Sequence, residues 1–196
     1  MSTDEFRIMV VGDEIVAGRG DARAMGWTGR VFARTDSPIP LTSMVLPIPG
    51  EDSQQLAARW EGEVVPRLSP EADNRLVVGM GSHDIDHGIS LVRARLNLAN
   101  ILDQATRHHI SAFVVGPPPR PDVPEKQMSE LSNAYRDVAD RRGVTFVDTY
   151  HPLASHDQWQ TDMAQPGSYT PQQAGYGLLA WLVLHNGWHH WLGLTA

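Results

Sequence analysis

Short apolar runs alternate along this chain with longer segments in which apolar residues recur every third or fourth position. Runs of the first kind, closed by Gly, Pro or Asp, read as buried strands. Segments of the second kind read as helices with one apolar face. The strands expected on this basis are residues 7–11, 41–45, 76–80, 112–115 and 144–147. Three helical stripes lie between them: Leu56, Trp60 and Val64; Ile89, Val92, Leu96, Ala99 and Leu102; and Met128, Leu131, Tyr135 and Val138. Gly26-Trp27 opens a short helix ending near Thr35, and Asp52 or Ser53 caps the helix that follows the break at 47–50. Pro171 starts a last helix with Leu178, Leu179, Leu182 and Val183 facing inward. Alternating strands and helices predict βαβ units, and therefore a mostly parallel sheet covered on both faces with right-handed crossovers. Such sheets hold ligands outside the carboxyl ends of their strands. The loops 12–18, 47–53 and 81–88 should therefore converge on one region.

Composition narrows the field. The 196 residues contain no repeat, low-complexity stretch or linker, and read as a single domain, 1–196. Apolar residues make up 41% and charged residues 20%, ordinary values for a soluble globular protein. A net charge of −7 argues against a nucleic-acid or anionic-membrane partner and leaves a small molecule as the expected one. With no cysteine there are no disulfides and no thiolate chemistry, which is compatible with a reducing, cytoplasmic setting. The acidic start runs straight into the first strand, so no signal peptide is expected. The apolar run 178–184 is too short to span a bilayer.

The first strand delivers Val10-Val11-Gly12-Asp13-Glu14. This stretch resembles the first signature block of the SGNH (GDSL-type) hydrolases, where the strand ends in Gly-Asp-Ser and the serine is the nucleophile. Here Glu14 stands at the serine position. The segments Gly26-Trp27-Thr28-Gly29-Arg30, Pro49-Gly50-Glu51-Asp52-Ser53 and Ala58-Arg59-Trp60-Glu61 are similar to an actinobacterial GDSL-type esterase/lipase subgroup. So are Gly116-Pro117-Pro118-Pro119 and Ala174-Gly175-Tyr176, so the resemblance spans nearly the whole chain. It implies a three-layer α/β/α, flavodoxin-like fold around a central five-stranded parallel sheet. It also implies that Gly50 matches the glycine whose amide helps form the family's oxyanion hole. His83, in Gly81-Ser82-His83-Asp84, falls where the family has its Asn donor. Counting back from Gly175-Tyr176 and Pro171, the family's catalytic His falls on Thr170 and its Asp on Gly167.

The resemblance thus implies that nucleophile, base and orienting acid are all replaced. A serine triad needs an activated hydroxyl, a base in reach and a group fixing that base. A carboxylate at the hole would also repel a developing oxyanion, where loss of one donor costs ~3 kcal/mol. Glu14 and His83 facing one cavity form instead a general acid/base pair, suited to proton abstraction, dehydration, ring opening or cyclisation. The leading reading is an enzyme of specialised metabolism acting on a small organic molecule, the metabolic setting resting on the subgroup resemblance alone. Two alternatives stay open: a catalytically silent binding or scaffold protein, and an esterase/lipase-type hydrolase with a rebuilt site. Asp13, Gly50, Ser53, Asp84 and Thr170 are expected around the cleft, while Asp162 lies too far upstream for the acid's position without a shifted loop. Ser53, considered as a displaced nucleophile, is explained by a capping role. The run His83-Asp84-Ile85-Asp86-His87 is rich in ligand types, but no distant third ligand is signalled, so no metal or other cofactor is expected. Arg19, Arg23 and Arg120 are candidates to line the cleft mouth and hold an acidic substrate. His108-His109 is read as a cation position at a helix C-terminus, and His189-His190 as packed with Trp188 and Trp191 against the core.

Overall fold

Successive residues of a strand point to opposite faces, and in the first strand both faces are apolar, so the chain needs a cover on each side. The computed structural model describes residues 4–164 and 169–194. Its sheet has the order β2-β1-β3-β4-β5, with every pairing parallel. The strands are β1 (Glu5–Gly12), β2 (Leu41–Pro47), β3 (Ala72–Gly79), β4 (Ser111–Val115) and β5 (Thr145–Val147). Ile8, Val10, Val77 and Phe113 pack on one face against Trp27, Val31, Leu179 and Val183. These last belong to helices α2 (Gly26–Phe32) and α9 (Gln173–Val183). Met9, Val11, Leu76, Val78 and Val114 pack on the other face against Trp60, Leu98, Ile101 and Tyr135. Those side chains come from α3 (Ser53–Val64), α5 (Leu91–Arg107) and α6 (Glu125–Asp140). Each fully buried side chain of this size contributes about 1.5–3 kcal/mol, so the two apolar layers fix the sheet between its helices. Trp188 and Trp191 join the first layer as expected of the tail, but His189 is half-buried and His190 exposed, so the two histidines do not pack into the core with them.

Three expectations are corrected. β3 begins at Ala72, four residues early, because its first half (Asp73, Asn74, Arg75) pairs along β1 while staying only half-buried. An apolar run reveals only the buried half of such a strand. The stripe assigned to α5 is rotated: Ala94, Leu98, Ile101, Leu102 and Ala105 are buried, whereas Val92 is 78% and Leu96 46% exposed. The inward face includes Asn97, whose Nδ2 donates to Ser53 Oγ at 2.9 Å, a buried polar position that an apolar count passes over. Finally, the N-cap of α3 is Asp52, in a capping box with Gln55, and not Ser53. Among the described residues no helix is long and apolar enough to cross a membrane.

Candidate functional site

The site begins where β1 stops. Gly12 has φ +149°, and a Cβ there would sit 2.4 Å from the Gly79 carbonyl oxygen, so only glycine lets β1 and β3 end side by side. The chain then turns at once into α1 (Glu14–Ala17), whose N-cap is Asp13: Oδ1 accepts the Ile15 N–H at 2.9 Å. This cap fixes Asp13 and Glu14 side by side at the carboxyl end of the sheet. Asp13 is only 4% exposed, and its Oδ2 lies over Gly81, where a Cβ would stand 1.9 Å from that oxygen.

Three loops meet on Glu14, as the sheet topology requires. Glu14 Oε2 accepts the Gly50 N–H at 2.7 Å, and Oε1 lies 2.8 Å from His83 Nε2. His83 opens the single turn α4 (His83–Asp86), so Asp86 is on its own face and reaches Nδ1 at 2.9 Å. Arg120 holds Asp86 in turn, at 2.6 and 3.2 Å, and also binds Asp122 and Ser82 Oγ. The chain Gly50–Glu14–His83–Asp86–Arg120 therefore runs unbroken from one loop to the next.

Electrostatics separate the three titratable groups at its centre. Burial pushes the Asp13 carboxyl up to about 7, with the charge of Glu14 adding and the Ile15 N–H and His83 opposing. Burial also pushes Glu14 upward, but the hydrogen bonds of His83 and the Gly50 N–H outweigh it and bring it down to about 2. His83 rises to about 9, first through its hydrogen bond to Glu14, against desolvation, with the charges of Glu14 and Asp13 adding. At neutral pH the site is then a carboxylate, an imidazolium and a carboxyl near its midpoint.

These shifts imply a pH dependence of stability. The His83 contribution is complete below its ordinary value of 6.5 and is lost as pH rises through about 9. That of Glu14 is complete above 4.5 and is lost as pH falls through about 2. Asp13 opposes Glu14: its raised value favours the fold below 3.8, and that gain is lost as pH rises through about 7. Histidine-resolved NMR is expected to give His83 a midpoint near 9. In Glu14→Gln that midpoint should drop, because the largest stabiliser of the imidazolium is removed. A His83 that titrates with the same midpoint in both proteins would refute the pairing.

Asp13, Glu14, Gly81, His83, Arg120 and Tyr169 line a cavity of about 60 Å³. Beside it is a larger hollow of about 350 Å³ between α6, α7 (Tyr150–Ala154) and α8 (Asp157–Met163). Its walls include Val123, Met128, Tyr150, Trp159 and Met163, and it shares Pro119, Arg120 and Met163 with the cavity.

Glu14, His83, Asp13 and Gly50 thus come together as the sequence suggests, but other candidates do not join them. Asp84 turns away, accepting from Ser53 N at 2.6 Å, Ser53 Oγ at 2.7 Å and Tyr135 OH at 2.8 Å. Ser53 and Asp84 are therefore a buried tie beneath the site and not part of its surface. Thr170 is buried outside the cavity lining, against Gly20, and Gly167 lies outside the described residues. Asp162 accepts the Gln172 and Gly175 N–H groups at 3.2 and 2.5 Å, which ties down the start of α9. Of the three arginines only Arg120 reaches the cavity, and Arg19 and Arg23 are exposed elsewhere. His108, just past α5, pairs with Glu61. The ligand-rich run disperses: Asp86 goes to Arg120, Asp84 to Ser53, and His87 to Asp52. Ligand atoms of Asp13, Glu14 and His83 do lie within 4.8 Å of one another. His83 and Glu14 already satisfy each other across 2.8 Å, so the cluster reads as a hydrogen-bonded, proton-sharing group. Sequence reasoning named Asp86 only as a potential metal ligand, not as the partner of His83, and missed Tyr169. The pairing of Asp86 was signalled by its position three residues after His83 on a helical turn.

Comparison with known proteins places this geometry in context. The sequence model of the GDSL-like Lipase/Acylhydrolase family matches residues 10–178. Among solved structures, the psychrotrophic esterase EstA from Pseudoalteromonas sp. superposes with a TM-score of 0.74 at 16% identity, over 95% of this chain and 98% of that one. A lipase/acylhydrolase from Enterococcus faecalis gives 0.74 at 20% identity, covering 93% and 95%. Axe2, an acetylxylan esterase from Geobacillus stearothermophilus, gives 0.76 at 15%, covering 99% and 98%. At these identities the likeness concerns the fold. A comparison with curated proteins found no match.

Proposed function

We propose that this chain, which belongs to the GDSL-like lipase/acylhydrolase family, moves protons on a small organic molecule instead of attacking it with a serine. The observation that carries the reading is the position of the Glu14 carboxylate, which takes the Gly50 N–H and the His83 Nε2 for itself. In the family's pattern those two positions serve a developing oxyanion, and a resident negative charge defeats that use. The same contacts keep His83 protonated and leave Asp13, at about 7, as the carboxylate best matched to exchange a proton near neutral pH. In the reaction Asp13 takes a proton from the substrate while His83 delivers one to the departing or receiving oxygen. Protons balance, and the outcome is a dehydration, ring opening or cyclisation. A setting in specialised metabolism belongs to the same proposal and is supported only by the subgroup resemblance.

A second reading is hydrolysis, favoured by the esterases and acylhydrolases among the similar folds. Water then replaces serine as the nucleophile and gives its proton to Asp13. A fluorophosphonate probe separates serine chemistry from both readings, and is expected to label nothing. Turnover of p-nitrophenyl acetate and butyrate should be negligible. Stoichiometric labelling of a serine, Ser82 first because it lines the cavity, would overturn both. Clear ester turnover with a pH limb near 7 that Asp13→Asn removes would establish the second reading over the first. A protein with no turnover at all would be left as a binding module using the cleft.

A further inference from the structure

We propose that the ligand of this site is an amphipathic amine, its ammonium group held by Asp13 and its apolar body seated in the hollow alongside. The inference names a ligand class for the acid/base site and shares its residues with that reading, the proton that Asp13 takes being then one of the ammonium's own. Four carboxylates stand around the cavity and its arginine, Asp13, Glu14, Asp86 and Asp122, against two cations, His83 and Arg120. Both cations are committed: His83 to Glu14 and Asp86, and Arg120 to Asp86 and Asp122. An anionic ligand would find no uncommitted cation there and two adjacent carboxylates, so the acidic substrate expected of Arg120 does not fit.

Asp13 supplies the second, independent observation. Its Oδ1 accepts the Ile15 N–H and the Val16 N–H also approaches the carboxylate, but among the described residues no hydrogen bond to Oδ2 is formed. The nearest cationic atom, His83 Nε2, is 3.9 Å away. A 96%-buried carboxylate therefore presents one unpaired oxygen to a cavity, which is where an arriving N–H donor is worth most. The apolar hollow of about 350 Å³ distinguishes an organic cation from an inorganic one. Trp159, Tyr150, Met128 and Val123 offer nothing to a hydrated metal ion, but they suit a hydrocarbon or aryl body. A metal ion on Asp13, Glu14 and His83 would also have to break the hydrogen bond between the last two, whereas an ammonium on Oδ2 leaves it intact.

Calorimetric titration at neutral pH with phenethylamine, phenethyl alcohol and phenylacetate tests this. The amine is expected to bind at least about tenfold more tightly than either isostere. Asp13→Asn should erase that preference with its melting temperature preserved, since Asn can still accept the Ile15 N–H that caps α1. Ala154→Trp, which fills the hollow from a partly exposed position, should weaken the amine independently. Equal or tighter binding of the alcohol or the acid, unchanged amine binding in Asp13→Asn, or no amine binding at millimolar concentration would each overturn the proposal. So would stabilisation by zinc chloride that phenethylamine fails to compete away. Because these are binding measurements, the two ideas fail separately. Loss of the amine preference leaves the acid/base reading standing, and a fluorophosphonate-labelled serine sinks that reading while leaving the amine site in place.

Discussion

Glu14→Gln is expected to abolish turnover of the natural substrate while the fold survives. Gln keeps the length of the side chain and can still accept the Gly50 N–H, so the three loops remain joined. It cannot carry the charge that holds His83 as an imidazolium, and the acid of the pair is lost with it. General acid–base catalysis is typically worth ~10²–10⁴ in rate, and the loss in kcat should approach that range as pH rises above neutral, where His83 without its carboxylate partner is a neutral imidazole. His83→Asn is the informative partner, because it keeps a donor of the type the family uses there while removing the titrating ring. A merely donating His83 would make that change mild. A His83 that shares its proton with Glu14 would make the two losses similar and the double mutant scarcely worse than either, since the residues act as one unit. The limb near 9 should vanish in His83→Asn and move down in Glu14→Gln, while the limb near 7 set by Asp13 persists in both. Full activity of Glu14→Gln on the natural substrate, or strictly additive losses, would end the proton-sharing account.

Much of this was legible because topology alone brings certain loops together. Once β1, β2 and β3 are placed in a parallel sheet, Glu14, Gly50 and His83 must come to the same end, and the spacing of apolar residues is enough to place those strands. What stayed hidden depends on side-chain direction or on partners far apart in sequence. Asp84 is adjacent to His83 yet points the opposite way, because Ser53 and Tyr135 supply donors below the sheet end. Arg120 reaches Asp86 across 34 positions of chain, a pairing with no local signal. The inward face of α5 carries, beside its apolar residues, one buried Asn that hydrophobic periodicity counts as surface. Asp162, dismissed as a displaced catalytic acid on chain distance, turns out to serve the backbone of α9. The chemistry of Asp13 was the least readable, since its shift comes from burial and from the charge next to it.

Asp84→Ala should be among the most destabilising single changes in the protein, although Asp84 touches no ligand. Its carboxylate is 2% exposed and collects three donors: the Ser53 N–H, the Ser53 hydroxyl and the Tyr135 hydroxyl. Truncation leaves those donors without their shared acceptor inside the core, where the Ser53 and Tyr135 hydroxyls keep only each other and Asn97 as polar neighbours. An unsatisfied buried donor costs about 1–3 kcal/mol, so a total of about 3–5 kcal/mol is expected. For a chain of this size each kcal/mol shifts the melting temperature by about 2–4 °C, which places the drop at about 6–20 °C. Tyr135→Phe removes one donor and leaves Asp84 with two, so it should cost about 1–2 kcal/mol and order clearly below Asp84→Ala. Asp84→Asn keeps one acceptor and the volume, and should fall between them in stability. Its effect on activity should nevertheless be large for a residue outside the cavity. Ser53 follows Gly50 by three positions and Asp84 adjoins His83, so this tie sets the distance across which Glu14 is held. A loosened tie is expected to lower the NMR midpoint of His83 along with kcat, a readout that simple destabilisation would not move. An Asp84→Ala protein that melts within about 2 °C of the parent would show that the buried donors find other partners, and the tie would have no role in positioning the site.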